Sequence, residues 1–318
     1  MSKLSIKRIS LHATGWLISF LWVGLASAVL LFLADADFIN SLHAFFKSAF
    51  GGRKFAYLLS TISRAALIIG MAMSALIAFR GGFFNIGGEG QLVVGGLASA
   101  TAALYFGIMG PLGIIVACLT GMAAGAVWAV LAGAMRIWLG VPILVGTLLL
   151  NYPARFIASY FVNHPLRDIA SGMPQTHLID KSMWLPLIPG TRLDTGFILI
   201  LGAFVLVLIY CHRTVAGYQA RMTGHSINFA AAAGLPIHQI SLRTLAISGS
   251  IAGLVGAIAV LGLHHRFVDG MLVQPLYAWT GIVTALLVNL LPWAIVPAGL
   301  FFAALHSGAA GMERIADV

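Results

Sequence analysis

Long apolar runs alternate with short polar interruptions along the whole chain. Read as helices, they fall at about 12–34, 56–79, 88–108, 112–135, 142–163, 196–212, 244–263, 277–291 and 293–308. Each of the longer runs matches the roughly 20 apolar residues that a helix needs to cross a bilayer core. The last two are short and separated by Leu291-Pro292-Trp293, so one re-entrant hairpin is an alternative to two full spans. One interruption differs from the others. Residues 80–91 read Arg-Gly-Gly-Phe-Phe-Asn-Ile-Gly-Gly-Glu-Gly-Gln, a glycine-dense polar patch between two apolar runs. Non-helical backbone survives at membrane depth only where protein or a water-filled path satisfies its polar groups. The segment is therefore the leading candidate for a transport pathway.

Composition supports this reading. Hydrophobic residues make up 60% of the 318, charged residues only 8%, and the mean hydropathy is +0.99. Soluble domains carry about 25% charged residues. The expectation is an all-α, polytopic transmembrane helical bundle of about eight or nine spans, a single transmembrane domain over 1–318, discontinuous near 82–91. An uncleaved first span is favoured over a signal peptide, because the run from His12 to Leu33 is too long for one. The net charge of +9 gives no nucleic-acid reading, since the basic residues are scattered among hydrophobic runs. With the N-terminus inside, the inner loops hold Lys3, Lys7, Arg8, Arg80, Arg136, Arg213, Arg221 and Arg243. The outer loops hold Asp35, Asp37, Asp168, Asp180, Asp194 and Asp269, beside seven basic residues that leave the positive-inside bias weak.

Several chemistries find no residues. There is no Walker loop; Gly51-Gly52-Arg53-Lys54 lacks its spacing and hydroxyl. His264-His265 is adjacent rather than one turn apart, so it offers no helical zinc face and reads as a solvated interfacial pair. Cys118 and Cys211 lie far apart in or near spans, and neither a disulfide framework nor a metal site is expected. No cofactor motif is present. Ionisable residues at membrane depth reduce to Glu89, Arg64 and Arg155, and such residues are expensive there. Arg64 reads as an interfacial anchor. Arg155 follows Asn151 by one turn and shares its face, which either lines a polar path or holds an interhelical hydrogen bond. Small residues recur at Gly121, Gly125 and Ala129, and at Gly249, Gly253 and Gly256, the spacing that lets helices approach closely in lipid. Inside, Ser226 to Gly234 reads as a short isolated helix: Ser226 as N-cap, an alanine run, Gly234 at the C′ position, then Pro236. It is either a docking knob or a plain connector.

The blocks Gly82–Gln91, Thr147-Leu148-Leu149-Leu150-Asn151-Tyr152, Ala230–Leu235 and Ser248–Ala257 resemble permeases of ABC importers of the branched-chain amino acid and ribose type, the nucleoside and simple-sugar subgroup above all. The likeness runs from about residue 56 to 310. It implies a non-catalytic permease subunit of an ATP-driven importer in the bacterial inner membrane, moving a nucleoside or simple sugar. It also implies partners: cytosolic ABC ATPase subunits, a second permease subunit, an external solute-binding lipoprotein and membrane lipid, with no nucleic acid. Asn85, Glu89, Gln91, Asn151 and Tyr152 would line or gate the pathway. Ser226, Asn228, Ala231 and Gly234 would couple to the ATPase, and the loop 164–195, with Pro174, Trp184, Pro186 and Pro189, would face the binding protein. The family usually carries one more hydrophobic helix after the stretch matching His306–Val318. The rival readings are an ion-coupled secondary transporter or channel resting on Glu89, and a structural subunit with no pathway.

Overall fold

Helices dominate because lipid offers no partner for backbone N–H and C=O groups, and a helix pairs them internally. The computed structural model describes residues 37–52, 55–106 and 110–315, with scattered positions between 22 and 33. The helices are α1 Phe38–Phe50, α2 Ala56–Arg80, α3 Gly88–Tyr105, α4 Pro111–Leu139, α5 Ile143–Asn163, α6 Gly196–Arg213, α7 Val215–His225, α8 Ile227–Ala232, α9 Ile237–Ile258, α10 Tyr277–Leu287 and α11 Ile295–Ile315. A π-helical turn, Ala259–His264, extends α9. Five helical stretches among the described residues are long and apolar enough to cross a membrane: α2, α4, α6, α9 with its π turn, and α11 with the turn that precedes it.

The chain divides into two compact units. One comprises the residues up to Leu58 together with 304–318; the other is Leu59–Ala303. In the first, Asp37 caps α1 by accepting from the Ile39 and Asn40 N–H groups at 2.9 and 3.2 Å. Here α1 lies against the end of α11, where Gly308 meets the Phe45 ring and Gly311 meets Ser48. The sequence reading placed a loop over 35–55, so α1 is a correction. The expected span 12–34 falls largely outside the described residues.

In the second unit, α2 and α9 are buried almost all round, whereas α4 and α6 present most of their surface outward. A helix that is hydrophobic on every side belongs in the interior. The two small-residue stripes face each other: a methyl group built on Gly253 would overlap the Gly121 carbonyl oxygen, and one on Gly249 would lie 2.5 Å from the Ala129 Cβ. Gly95 and Gly96 of α3 approach Gly253 and Gly256 in the same way. So α3, α4 and α9 meet backbone to backbone. Two boundaries differ from expectation. α9 starts at Ile237, seven residues before the hydropathy rises, and α10 ends after 11 residues. At about 1.5 Å per residue, α10 is too short to cross, while α11 with 21 residues is full length. The final pair is one half-length helix followed by a complete one, neither a hairpin nor two equal spans. Asn289 and Leu290, both at positive φ, make the turn between them.

The loop 164–195 is folded onto the C-terminal end of α9. Thr176 and Ile179 donate to the Phe267 and His265 carbonyls, both at 2.9 Å. The Trp184 ring stacks on His265 at 3.7 Å with the planes 9° apart. His265 is thus a packing peg rather than a solvated group.

Candidate functional site

α2 stops because Gly82 takes a left-handed conformation, φ +77°, and Phe83 N–H turns back to the Ala78 carbonyl at 3.0 Å. The next residues run back alongside α2 before α3 begins. Side chains of the break itself and of neighbouring helices fasten them. Asn85 and Gln91 exchange amide hydrogen bonds, at 3.1 Å from Asn85 Nδ2 and 2.9 Å from Gln91 Nε2. Asn85 Oδ1 also accepts from Gly87 N–H at 3.0 Å, and Asn85 Nδ2 donates to Ser248 Oγ at 3.0 Å. Ser248 and Ser74 in turn donate to each other's carbonyls at 2.8 Å, tying the break to α2 and α9. From α5, Asn151 Oδ1 accepts from Gly90 N–H at 2.8 Å, Asn151 Nδ2 donates to the Ile86 carbonyl at 3.2 Å, and Thr147 Oγ1 accepts from Ile86 N–H at 3.2 Å. Backbone groups that no helix could pair are thus paired by side chains, as burial demands.

Glu89 is 2% exposed and sits in the first turn of α3, where the helix dipole favours a carboxylate. One of its oxygens pairs with the Arg155 guanidinium; the other accepts from Trp279 Nε1 at 3.2 Å. The Arg155 side chain is 41% exposed and lies over the Tyr152 ring, 5.8 Å from its centre. Arg155 stands about 18 Å from the start of α5 and about 12 Å from its end, near the middle of a helix as long as a bilayer core is thick. Beside it is a cavity of about 230 Å³, walled by Val93, Ala158, Phe267 and Leu272, with Arg155 and Asp269 as its charged members. Asp269 is held by Ser159 Oγ at 2.7 Å.

Asn85, Glu89, Gln91 and Asn151 are thus all buried along the break, Asn85 and Gln91 bonded to each other, Asn151 to the backbone of Ile86 and Gly90, and Glu89 to Arg155 and Trp279, while Tyr152 is 56% exposed beside Arg155. For Asn151, of the two readings its face left open, the interhelical hydrogen bond is the one observed. Ser74, Thr147, Ser248, Trp279 and Asp269 join the site without having been singled out as site residues. At the other end, α8 forms where the sequence placed a helix. Ser226 Oγ accepts from Phe229 N–H at 3.2 Å, and Gly234 has φ +78°. Asn228, Ala231 and the Phe229 ring are exposed on it, whereas Ala230 is buried.

The comparisons with known proteins agree with one another. A guanosine ABC transporter permease of Bacillus subtilis is 28% identical over 312 residues, covering 96% of this chain and 88% of its own. A glucose ABC transporter permease of Haloferax volcanii is 28% identical over 271 residues, 80% of this chain and 70% of its own. A nucleoside ABC transporter permease of Lactococcus lactis is 27% identical over 268 residues, 80% and 72%. No solved structure matches. The family model for the permease component of branched-chain amino acid transport systems matches residues 57–315, and the chain belongs to that family.

Proposed function

We propose that this multi-pass inner-membrane chain is one half of the pore of an ATP-driven importer, with nucleosides or simple sugars as its solutes. The observation that carries the pathway reading is Arg155. A half-exposed guanidinium in mid-span costs about 2.5–3.5 kcal/mol on insertion scales if it faces lipid. The face bearing Tyr152, Arg155 and Trp279 must therefore meet water or another protein. The solute path runs along this face, and a second permease subunit closes it from the opposite side. Asn85, Gln91 and Asn151 serve the path from behind, by fixing the break on which Glu89 stands. Glu89 holds Arg155 and cancels its charge, which suits the uncharged solutes named for the relatives.

ATP hydrolysis belongs to separate cytosolic subunits. The exposed α8, with Asn228, Phe229 and Ala231 outward and its ends set by Ser226 and Gly234, is the knob that those subunits grip. Closure of the ATPase pair pushes α8 and rocks the bundle, and the folded segment 164–195 receives the external binding lipoprotein. The test is reconstitution of the full complex in proteoliposomes. Ala231→Glu should leave ATP hydrolysis running while solute uptake falls to background. Unchanged coupling overturns the role of α8, and uptake by this chain alone under an ion gradient overturns the ATP-driven reading.

A further inference from the structure

Asp269 forms the second charged wall of the cavity beside Arg155, and it takes no part in the ion pair with Glu89. Its place is fixed from two sides. The Asp269 N–H donates to the Pro174 carbonyl at 3.0 Å, and Gly270, at φ +75°, turns the chain immediately after it. From α5, Ser159 Oγ donates to Asp269 Oδ2 at 2.7 Å. Ser159 follows Arg155 by one helical turn, so the two share a face, and the carboxylate is drawn to the face that bears the guanidinium. Its second oxygen accepts no hydrogen bond among the described residues, and neither ion pair among them includes Asp269. On the other charged wall, Glu89 engages Nε and Nη2 of Arg155 through one oxygen. A guanidinium has five N–H donors, so others remain on a side chain that is 41% exposed. The cavity thus offers an unpaired acceptor and unpaired donors close together, and its remaining walls, Val93, Ala158, Phe267, Leu272 and Val273, are apolar.

We propose that this cavity holds the ribose end of a nucleoside, Asp269 accepting from its pair of adjacent hydroxyls and Arg155 donating to their oxygens, an assignment that rests on the solute path running along this face. A hydroxyl both donates and accepts, so a hydroxyl pair answers the carboxylate and the guanidinium together. An ammonium would leave the guanidinium unanswered, and a phosphate would meet the Asp269 charge. The apolar walls then separate nucleosides from free sugars. A free sugar carries hydroxyls all round its ring, and those turned to Val93, Phe267 and Leu272 would lose water without gaining a partner. A nucleoside keeps its hydroxyls at one end and brings the flat face of its base to the apolar surface. A few convergent polar groups in a mostly apolar hollow are the usual means of orienting a small solute. Asp269 is on this account a specificity-determining residue.

The test is uptake by the whole importer complex in proteoliposomes, with radiolabelled uridine, adenosine, ribose and glucose, and with the dideoxynucleosides that lack the hydroxyl pair. For each permease variant, the preference is the uptake efficiency of a nucleoside divided by that of its dideoxy counterpart. The binding protein is the same throughout, so its own selectivity divides out between variants. Asp269→Asn keeps an acceptor for Ser159 and replaces the charge with an amide. The preference should then fall about tenfold, the step from a charge-assisted to a neutral hydrogen bond. Asp269→Ser should lose at least as much, and it gives the same reading should the asparagine variant fail to assemble. A merely structural Asp269 would slow both members of each pair alike, so an unchanged preference overturns the proposal. Uptake of ribose or glucose without either nucleoside also overturns it, while leaving the importer reading in place. Uptake of none of the four natural solutes by the wild-type complex overturns that reading and this inference with it.

Discussion

Glu89→Gln isolates the ion pair at the centre of the site. Glutamine keeps the shape and one oxygen that can still accept from Trp279 Nε1, but it removes the charge opposite Arg155 and turns an amide NH2 toward the guanidinium in place of an acceptor. Breaking a fully buried pair costs about 3–5 kcal/mol, whereas fully exposed pairs contribute less than about 1 kcal/mol. Glu89 is 2% exposed but Arg155 41%, which places this pair between the limits, at about 2–3 kcal/mol. That is a factor of about 30 to 150 in the equilibrium it governs. Arg155→Gln should lose a similar amount, since it strands a buried carboxylate. The double variant should recover most of the loss, because two neutral amides can bond in the same place. The assay is a double-mutant cycle read twice: ATP-driven uptake in proteoliposomes and thermal unfolding of the purified complex. Additive losses, with the double variant worse than either single, would refute the coupling. Recovery of stability without recovery of uptake would show that the pathway itself needs the Arg155 charge.

The glycine seam and the loop 164–195 give two further predictions. Gly253→Val should separate α9 from α4 and destabilise the protein by at least about 1–3 kcal/mol, the usual range for overpacking. Gly202→Ala on α6, where a Cβ meets nothing within 4 Å, should be neutral or stabilising by up to about 1 kcal/mol; the two melting temperatures decide. Burial pushes the Asp194 carboxyl above its ordinary value of 3.8, although it accepts from Gly196 N–H at 2.7 Å. The folded protein then keeps this proton to higher pH than the unfolded chain does. Its stabilising contribution is complete below the ordinary value, falls as pH rises through the folded value and is level above it. Asp194→Asn keeps an acceptor for Gly196 and should flatten that part of the melting-temperature profile between about pH 4 and neutrality.

The sequence made the break legible because Gly82, Asn85, Gly87, Gly88 and Gln91 contrast with apolar runs on both sides. The facing stripes at Gly121, Gly125, Gly249 and Gly253 were legible too, since a one-turn repeat of small residues has few other uses in lipid. The Ser226 cap and the Gly234 stop are local and could be read directly. What closes the network could not be. The bond between Asn85 and Gln91 crosses a helix start at a separation that no regular period supplies. Ser74, Ser248 and Trp279 reach the break only after distant helices have packed. Arg155 could be placed on the face of Asn151, but that face turns from buried to exposed within one turn, and only the neighbouring helices decide where. Hydropathy also misjudged lengths. It runs unbroken through Val288 where α10 has already ended, and it overlooks the polar first turns of α9 that Ile237 and Ile240 anchor.

The backbone-to-backbone meeting of α3, α4 and α9 has a consequence for how a pump of this kind can move. Interdigitated side chains can ratchet from one set of rotamers to another, but glycines have nothing to re-sort. These three helices will travel as one rigid wedge, and the shape change that each ATP drives must be absorbed elsewhere.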